Sequence, residues 1–175
     1  KSHRRRPQRP YFAINHLEGH ALSARLADSV AFPYLLLLVS GGHSQLLAVA
    51  GPGQYHRYGT TMDDAAGEAF DKCAKIMGLG YPGGPAIEAA AQQGDATAIA
   101  LPCPLKGADH CHFSFSGLKT SLVNKLKLLG GAEKAPVHDL AASLQAAIAC
   151  CLADRSHHAM AQFRQDYVQA SASAP

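Results

Sequence analysis

The chain lacks the cysteine spacing that marks a zinc knuckle or a disulfide framework. Its five cysteines are an odd number, and no two of them form a C-x-x-C pair. We therefore expect reduced thiols, which are typical of a cytoplasmic protein.

Long apolar runs are also absent. The longest, around residues 35–39, is far shorter than the roughly 20 residues that cross a bilayer. No extended apolar segment follows the first arginines, as it would in a secretion signal. We therefore expect no membrane partner. No G-x-x-x-x-G-K-[ST] motif occurs, which excludes a P-loop nucleotidase.

The chain has slightly fewer acidic residues than basic ones, 13 against 16, which gives a net charge of +3. Five of the basic residues lie in the first nine positions, and without them the balance is −2. An RNA-attracting surface is therefore confined to a basic arm, residues 1–10, and an artificial junction would explain that arm equally well. Its basic residues are Lys1, Arg4, Arg5, Arg6 and Arg9.

The pattern of apolar residues predicts an α/β protein in which three meandering strands precede a series of helices. The first long strand is continuously apolar, as expected when both faces are covered. Asn15 is a candidate cap for the first helix. Strands are predicted at 11–14, 32–39, 45–50 and 54–59; helices at 16–27, 64–78, 86–93, 116–128 and 138–164; and a disordered tail at 170–175.

Two histidines are spaced for a shared metal ion. His16 and His20 are four residues apart and therefore project from the same face of the predicted helix. Two surface histidines without a metal are the common alternative. A zinc protease is excluded because its H-E-x-x-H motif needs a carboxylate directly after the first histidine, where this chain has Leu17. Glu18 lies about 200° around the helix from His16.

A glycine turn, residues 40–43, follows the apolar strand. Its sequence S-G-G-H allows backbone N–H groups to approach an anion without a Cβ in the way. An ordinary β-hairpin turn is the more common structure for such a pattern.

Further along the chain, three features have both a functional and an ordinary interpretation. Asp71 can accept hydrogen bonds from ribose or be a solvated acid. The pair Gly83-Gly84 allows close approach of a ligand or forms a turn between helices. Lys119 can contact a phosphate, although most exposed lysines do not.

Five motifs in order resemble the tRNA N6-adenosine threonylcarbamoyltransferase family, TsaD and its archaeal and mitochondrial relatives. The motifs are N-H-L-E-G-H, L-V-S-G-G-H-S-Q-L, D-D-A-A-G-E-A-F-D-K, G-Y-P-G-G-P and F-S-F-S-G-L-K-T, and the similarity runs from about residue 9 to about residue 153. The resemblance implies the actin/Hsp70/sugar-kinase fold, an RNase H-like arrangement of two α/β lobes around a nucleotide. Residues 11–31 would end the first lobe, and residues 32–169 would form the core of the TsaD-like domain.

The resemblance also implies an activity. Family members transfer a threonylcarbamoyl group from threonylcarbamoyl-AMP to N6 of adenosine 37 in tRNAs that read ANN codons, with paralogous and ATPase subunits as partners. His16 and His20 match the ligands of a divalent metal ion, iron or zinc. The matches to the substrate-binding positions are Val39, Ser40, Gly41, Gly42, His43, Asp71, Gly84 and, more weakly, Glu88.

Three segments of the family pattern have no counterpart here: an acidic strand and loop before the histidine helix, a glycine-rich stretch ending in asparagine, and a final metal-binding aspartate. The chain is therefore expected to be a central fragment with two of three metal ligands, and it is expected to be inactive alone. Two other hypotheses stay open: a non-catalytic module that docks on related subunits, and an ATP-dependent kinase or chaperone of the same superfold. Because such kinases hold magnesium with carboxylates and water, the histidine pair argues against the last.

Overall fold

A computed structural model describes residues 13–169, with three strands followed mainly by helices. The predicted basic arm, residues 11 and 12 of the predicted first strand, and the tail at 170–175 lie outside these residues. The other two residues of that strand, Ala13 and Ile14, have no regular secondary structure. The elements are α1 His16–Ala27, β1 Tyr34–Val39, β2 Ser44–Gly51, β3 Gln54–Thr60, α2 Ala66–Ile76, α3 Gly83–Ala91, α4 Ser116–Leu128, α5 Val137–Phe163 and a π-helical turn at Arg164–Gln169.

The three strands form one antiparallel sheet in the order β1-β2-β3, which confirms the predicted meander. Directly opposite residues share a face, and Leu37 lies opposite Leu46 while Tyr34 lies opposite Val49. Leu46 belongs to the core formed with the helices. The Tyr34 hydroxyl donates to the Ala21 carbonyl of α1, 2.6 Å away. The sheet therefore separates α1, on one face, from a layer of helices on the other.

The expectation that β1 is covered on both faces is wrong for the end of the strand. Leu38 is buried, but Leu37 and Val39 are 40% and 42% exposed. Leu37 and Val39 lie on the face of the sheet that carries the helical layer, and within the described residues this layer does not reach over the end of β1.

The helical layer contains the core. The apolar spacing of the predicted helix indicates four buried residues on α5: Leu140, Leu144 and Ile148 are buried, whereas Leu152 is only partly buried. Helix α5 packs against α3, which in turn packs on α2. One buried residue of α5 is charged: Arg155 donates to the carbonyls of Ala108 and His110 and pairs with Asp154. These contacts hold the irregular segment at 103–112 against the helix.

Most predicted helices are confirmed, and the differences lie at their ends. The Leu17 N–H donates to the Asn15 side chain over 2.9 Å, which confirms the cap of α1. Helix α2 is two residues shorter than predicted at each end. Helix α3 begins at Gly83 rather than at residue 86 because the Asp71 carboxylate accepts the Gly83 N–H and so caps its first turn.

The expectation that all cysteines are reduced is wrong for one pair. Cys103 and Cys150 form a disulfide, with Cα atoms 5.7 Å apart and a sequence separation of 47. The number of cysteines and the absence of C-x-x-C spacing do not predict a disulfide between two cysteines that only tertiary packing brings together. The thiols of Cys73, Cys111 and Cys151 are free and buried, and burial raises the pKa of Cys73 to about 11.

None of the helices within residues 13–169 combines the length and the apolar character needed to cross a membrane.

Candidate functional site

The two histidines of α1 converge. The Nε2 atoms of His16 and His20 are 3.1 Å apart, and their rings meet edge to face with centroids separated by 4.5 Å. Two nitrogens at about 2.0–2.1 Å from one tetrahedral zinc would be about 3.3 Å apart. The spacing of the pair therefore suits a shared cation, and both side chains are exposed to solvent.

The opposite side of α1 fixes the helix to the sheet. One carboxylate oxygen of Glu18 accepts the Gly53 N–H at 3.1 Å and the Tyr55 hydroxyl at 2.8 Å. Burial and this hydrogen bond raise the pKa of Tyr55. Glu18 is thus engaged by the β2–β3 turn, in agreement with its predicted position away from the histidine face.

Residues 40–43 form the hairpin turn between β1 and β2, so the ordinary interpretation of this motif holds. The Ser40 N–H donates to the His43 carbonyl at 2.8 Å, and the His43 N–H donates to the Ser40 hydroxyl at 3.0 Å. Gly41 and Gly42 are exposed at the tip, and a Cβ on either would meet no atom within 4 Å. The turn therefore leaves space at the tip for another group.

The beginning of α2 packs directly on this turn. The Gly67 N–H donates to the Ser40 carbonyl at 3.4 Å, and a Cβ at Gly67 would lie only 2.7 Å from the Gly41 Cα. The buried Ser44 hydroxyl accepts the Ala66 N–H at 2.9 Å and so caps a helix whose own N-cap residue has no polar side chain. A side chain on glycine at position 67 would force the turn away from α2.

One helical turn further along, α2 contacts the start of α3. The Gly83 N–H donates to Asp71 Oδ1 at 2.7 Å, and a Cβ at Gly83 would lie 2.5 Å from the Asp71 Cα. Gly84 follows with no atom within 4 Å of an added Cβ, and Glu88 is exposed one turn later on α3. Asp71 thus has a local role, and its second oxygen, Oδ2, has no hydrogen-bond partner in the described part of the chain.

Helix α2 brings the two groups of predicted substrate residues together. Gly67 and Asp71 are four residues apart, which places them on the same face about 6 Å from each other along the axis. The hairpin tip, with Val39 and His43 at its base, and the first turn of α3 consequently lie side by side against α2. A cavity of about 430 Å³ adjoins this face and is lined by Asp71, Lys72, Lys75, Gly78, Leu79, Gly80 and Tyr81.

Lys72, which also lines this cavity, is held by two carboxylates. Its Nζ lies 2.6 Å from Asp64 and 2.8 Å from Glu68, and these hydrogen bonds, that to Asp64 above all, raise the pKa of Lys72. The lysine therefore stays charged at neutral pH while it is shared between two carboxylates.

Asp63 has a structural role that its sequence position does not predict. It accepts the Phe115 N–H at 2.8 Å and the Ser116 N–H at 3.2 Å, together with the hydroxyls of Ser114 and Ser116 at 2.5 and 2.8 Å. Burial opposes ionisation of Asp63, but these hydrogen bonds outweigh it and lower its pKa. Two serines flanking a predicted helix start were the available signal, but no sequence rule pairs them with an acid about 50 positions earlier.

The histidine pair and the hairpin tip lie on different elements. Asn15 and Leu17, at the start of α1, share a cavity of about 240 Å³ with Gln45 of β2, two residues beyond the hairpin. No hydrogen bond or ring contact links either imidazole to residues 39–43 within the described residues. Nor does that part of the chain contain a group of three or more His, Cys, Asp or Glu side chains that could hold a metal ion. A metal site at this pair would need ligands besides the two histidines.

Comparison with known proteins gives a consistent result. The family model for TsaD, tRNA N6-adenosine threonylcarbamoyltransferase, matches residues 5–174. The chain is 58% identical over 163 residues to a protein of that name from Maricaulis maris (strain MCS10), and this alignment covers 93% of the chain and 43% of the relative. It is 55% identical over 160 residues to the protein of the same name from Brucella suis (strain ATCC 23445 / NCTC 10510), covering 91% of the chain and 45% of the relative.

The chain spans less than half the length of these curated relatives. The family model nevertheless matches all but a few residues at either end, including both histidines, the hairpin turn and the glycines of α3. The chain therefore belongs to the tRNA N6-adenosine threonylcarbamoyltransferase family.

Proposed function

We propose that the chain carries part of the active site of a threonylcarbamoyltransferase. The reaction is transfer of the threonylcarbamoyl group from threonylcarbamoyl-AMP to N6 of adenosine 37 in tRNAs that read ANN codons. In this step the amine nitrogen attacks the carbamoyl carbon, the bond to the phosphate oxygen breaks and AMP leaves. The observation that carries the proposal is the α2 face on which Gly67 and Asp71 hold the hairpin tip beside the start of α3.

Each part of this face has a chemical role in the proposal. The exposed backbone N–H groups at Gly41 and Gly42 bind the adenylate phosphate by donating hydrogen bonds to its oxygens, because N–H groups without neighbouring Cβ atoms can approach an anion closely. The Oδ2 atom of Asp71 accepts a ribose hydroxyl, while its Oδ1 stays on Gly83. Gly84 leaves room for the sugar, and Glu88 and His43 flank the bound nucleotide.

The histidine pair is assigned to an iron or zinc ion in the same proposal. When bound, such an ion supplies a Lewis acid that polarises a carbonyl oxygen. His16 and His20 hold it in their neutral forms, and their convergence at 3.1 Å supports this assignment. The remaining ligands come from outside the described residues or from the substrate.

The proposal includes a fold and a set of partners. Residues 11–31 would end one lobe of an actin/Hsp70/sugar-kinase-like fold, and residues 32–169 would form the core of the other. The three-stranded meander followed by helices is consistent with such a core. Partners would be tRNA and the paralogous and ATPase subunits of the modifying complex in the cytoplasm.

The metal assignment is tested by measuring bound zinc and iron(II) after anaerobic loading and desalting. Because the pair supplies only two ligands, the measurement uses a chimera in which residues 9–153 replace the matching region of the Maricaulis maris relative, and this chimera is expected to retain one ion per molecule. A His16→Ala/His20→Ala variant of the chimera is expected to lose it, because one face of α1 loses both ligands. The matched control is His138→Ala, which removes an exposed histidine from α5 and should leave the metal content unchanged. Equal metal in the chimera and its double variant would exclude this site.

The transferase assignment is tested with threonylcarbamoyl-AMP, an unmodified tRNA that reads an ANN codon, and mass spectrometry of the digested nucleosides. The chain is assayed alone and within a chimera in which residues 9–153 replace the matching region of the Maricaulis maris relative. The chimera is expected to form threonylcarbamoyladenosine, and Asp71→Ala in the chimera is expected to lower the yield at least about tenfold, since the ribose contact and the cap of α3 are both lost. A folded chimera without product would contradict the proposal.

A further inference from the structure

Helix α4 carries a positive charge that the proposed chemistry does not use. It contains Lys119, Lys125 and Lys127 and no acidic residue. The sequence has no aspartate or glutamate from residue 110 to residue 132, although the chain beyond the basic arm has a balance of −2. Within residues 13–169, none of the three lysines forms an ion pair. Because an unpaired ammonium group is costly to bury, this helix faces either water or an anionic partner.

Two of these lysines lie on the outward side of the helix. Lys119 and Lys127 are about 80° apart around the axis and about 12 Å apart along it. Thr120 and Asn124 lie beside them, and all four side chains are exposed, whereas the buried leucines of α4 point to the other side. This surface, which we call the lysine stripe, combines two positive charges with two neutral side chains that can donate hydrogen bonds.

The start of α4 is joined to the start of α2, the helix that carries the proposed adenylate face. Asp63, three residues before α2, accepts the N–H groups of Phe115 and Ser116 at the start of α4. The two helices also pack against each other. The lysine stripe therefore begins next to the proposed substrate face.

Lys119 lies across α2 from the proposed ribose position. Burial is the main cause of the raised pKa of the Cys73 thiol, and the nearby charge of Lys119 opposes that rise, so this lysine is close to the Cys73 side of α2. Cys73 and Asp71 point about 160° apart around the helix. Lys119 and Asp71 are consequently separated by about one helix diameter, 10–12 Å. An adenylate held by Asp71 is out of reach of the lysine stripe.

A ligand that reaches both places is therefore larger than one nucleotide. A polynucleotide meets this requirement, because lysines that neutralise phosphates release counterions, and threonine and asparagine side chains also donate to backbone oxygens. A protein partner fits less well, since protein interfaces are depleted in lysine and enriched in arginine and aromatic residues. The lysine stripe contains no arginine and no aromatic residue.

We propose that the lysine stripe binds the phosphate backbone of the tRNA substrate while the adenosine that is modified reaches the adenylate face across α2. This inference rests on the proposed function and names the surface that the tRNA backbone contacts. Lys119 and Lys127 each neutralise a phosphate, and Thr120 and Asn124 donate to phosphate or sugar oxygens. Such contacts set affinity and orientation without reading the base sequence.

Binding of a fluorescently labelled, unmodified tRNA to the chimera that contains residues 9–153, at several salt concentrations and without threonylcarbamoyl-AMP, tests the proposal. Lys119→Gln and Lys127→Gln are each expected to reduce the slope of log K against log salt by about 0.7–0.9 and to raise the Kd at least about threefold. Lys119→Arg keeps the charge and should keep the slope. The matched control is Lys106→Gln, which removes an exposed lysine outside α4 and should bind as the unmutated chimera does.

Steady-state kinetics of the same chimera separate the lysine stripe from the catalytic site. Both glutamine variants are expected to raise the KM for tRNA at least about threefold and to leave kcat and the KM for threonylcarbamoyl-AMP unchanged, because the stripe does not touch the donor. Salt slopes and KM values like those of Lys106→Gln would overturn the inference and leave the stripe to solvent or a protein partner. A chimera that forms no product would contradict the transferase assignment instead, and its tRNA-binding slopes would still test the stripe.

Discussion

Replacing Asp63 with alanine is expected to destabilise the protein more than the loss of an ordinary surface carboxylate. The aspartate precedes α2 but accepts both N–H groups at the start of α4 and the hydroxyls of Ser114 and Ser116. It is the cap of a helix that lies about 50 residues further along the chain. The Asp63→Ala variant therefore weakens a local helix start and a tertiary contact at once.

The magnitude follows from the kinds of hydrogen bond that are lost. Removing an N-cap acceptor costs about 1 kcal/mol, and hydrogen bonds to a charged group contribute about 1.5–3 kcal/mol each before water replaces some of them. The serine hydroxyls can reach water, whereas Phe115 is buried. We expect Asp63→Ala to lower the free energy of unfolding by about 2–3 kcal/mol in total. Asp63→Asn keeps an acceptor for the two N–H groups and should lose only about 1 kcal/mol.

The effect should depend on pH with a defined sign. Because the folded protein lowers the pKa of Asp63, its contribution is fully present above the ordinary aspartate pKa of about 3.9 and is lost as the pH falls through the lower folded value. The difference between wild type and Asp63→Ala should therefore be constant near neutral pH and shrink in strong acid.

Urea unfolding followed by circular dichroism, with the disulfide intact, measures this difference. With a urea dependence of about 2 kcal/mol per molar, the midpoint should fall by roughly 1–1.5 M for Asp63→Ala. Glu133→Ala is the control, since Glu133 is an exposed carboxylate in the loop before α5, and its midpoint should stay within error of the wild type. Equal midpoints for the two variants would refute the capping argument.

Three other changes test the packing. Gly67→Ala should lower the free energy of unfolding by about 1–3 kcal/mol because the new Cβ lies 2.7 Å from the hairpin backbone. Gly117→Ala, with open space around the new Cβ, should leave that free energy unchanged or raise it by up to about 1 kcal/mol. Urea midpoints that shift equally in the two variants would contradict this. Arg155→Met should lower the free energy of unfolding by about 3–5 kcal/mol, since the substitution leaves two carbonyls and a carboxylate without their buried partner. An unchanged melting temperature would contradict this prediction. Reducing the Cys103–Cys150 bond should lower the free energy of unfolding by about 4 kcal/mol, the loop-closure entropy for a sequence separation of 47. The stability of a variant with serine at both positions should not change when the reductant is added.

Features encoded within one segment could be predicted from the sequence. The bounds of α1 and α4 agree with the prediction because apolar periodicity and a local cap, Asn15 for α1, define them. The strand meander was equally readable, since Gly and Pro separate its apolar runs. The convergence of His16 and His20 follows from helix geometry, in agreement with the 3.1 Å between their Nε2 atoms.

Features that join distant segments could not be predicted in this way. The disulfide, the cap that Asp63 provides for α4 and the Ser44 hydroxyl at the start of α2 all connect residues at least about 20 positions apart. In each case the two partners occur in ordinary local sequence. Only the packing of α2, α4 and α5 on the sheet brings them within bonding distance.

Helix α2 shows why long motifs carried more information than single residues. Taken alone, Asp71 is an acidic residue of the kind usually found on a protein surface, and Gly67 is unfavourable in a helix interior. In the structure both serve the same helix face, because Gly67 admits the hairpin and Asp71 captures the first N–H of α3. A chain that kept only one of them would lose the alignment of hairpin and helix, so the spacing of four between them is itself a structural requirement. The functional proposal depends on that spacing more than on any single side chain.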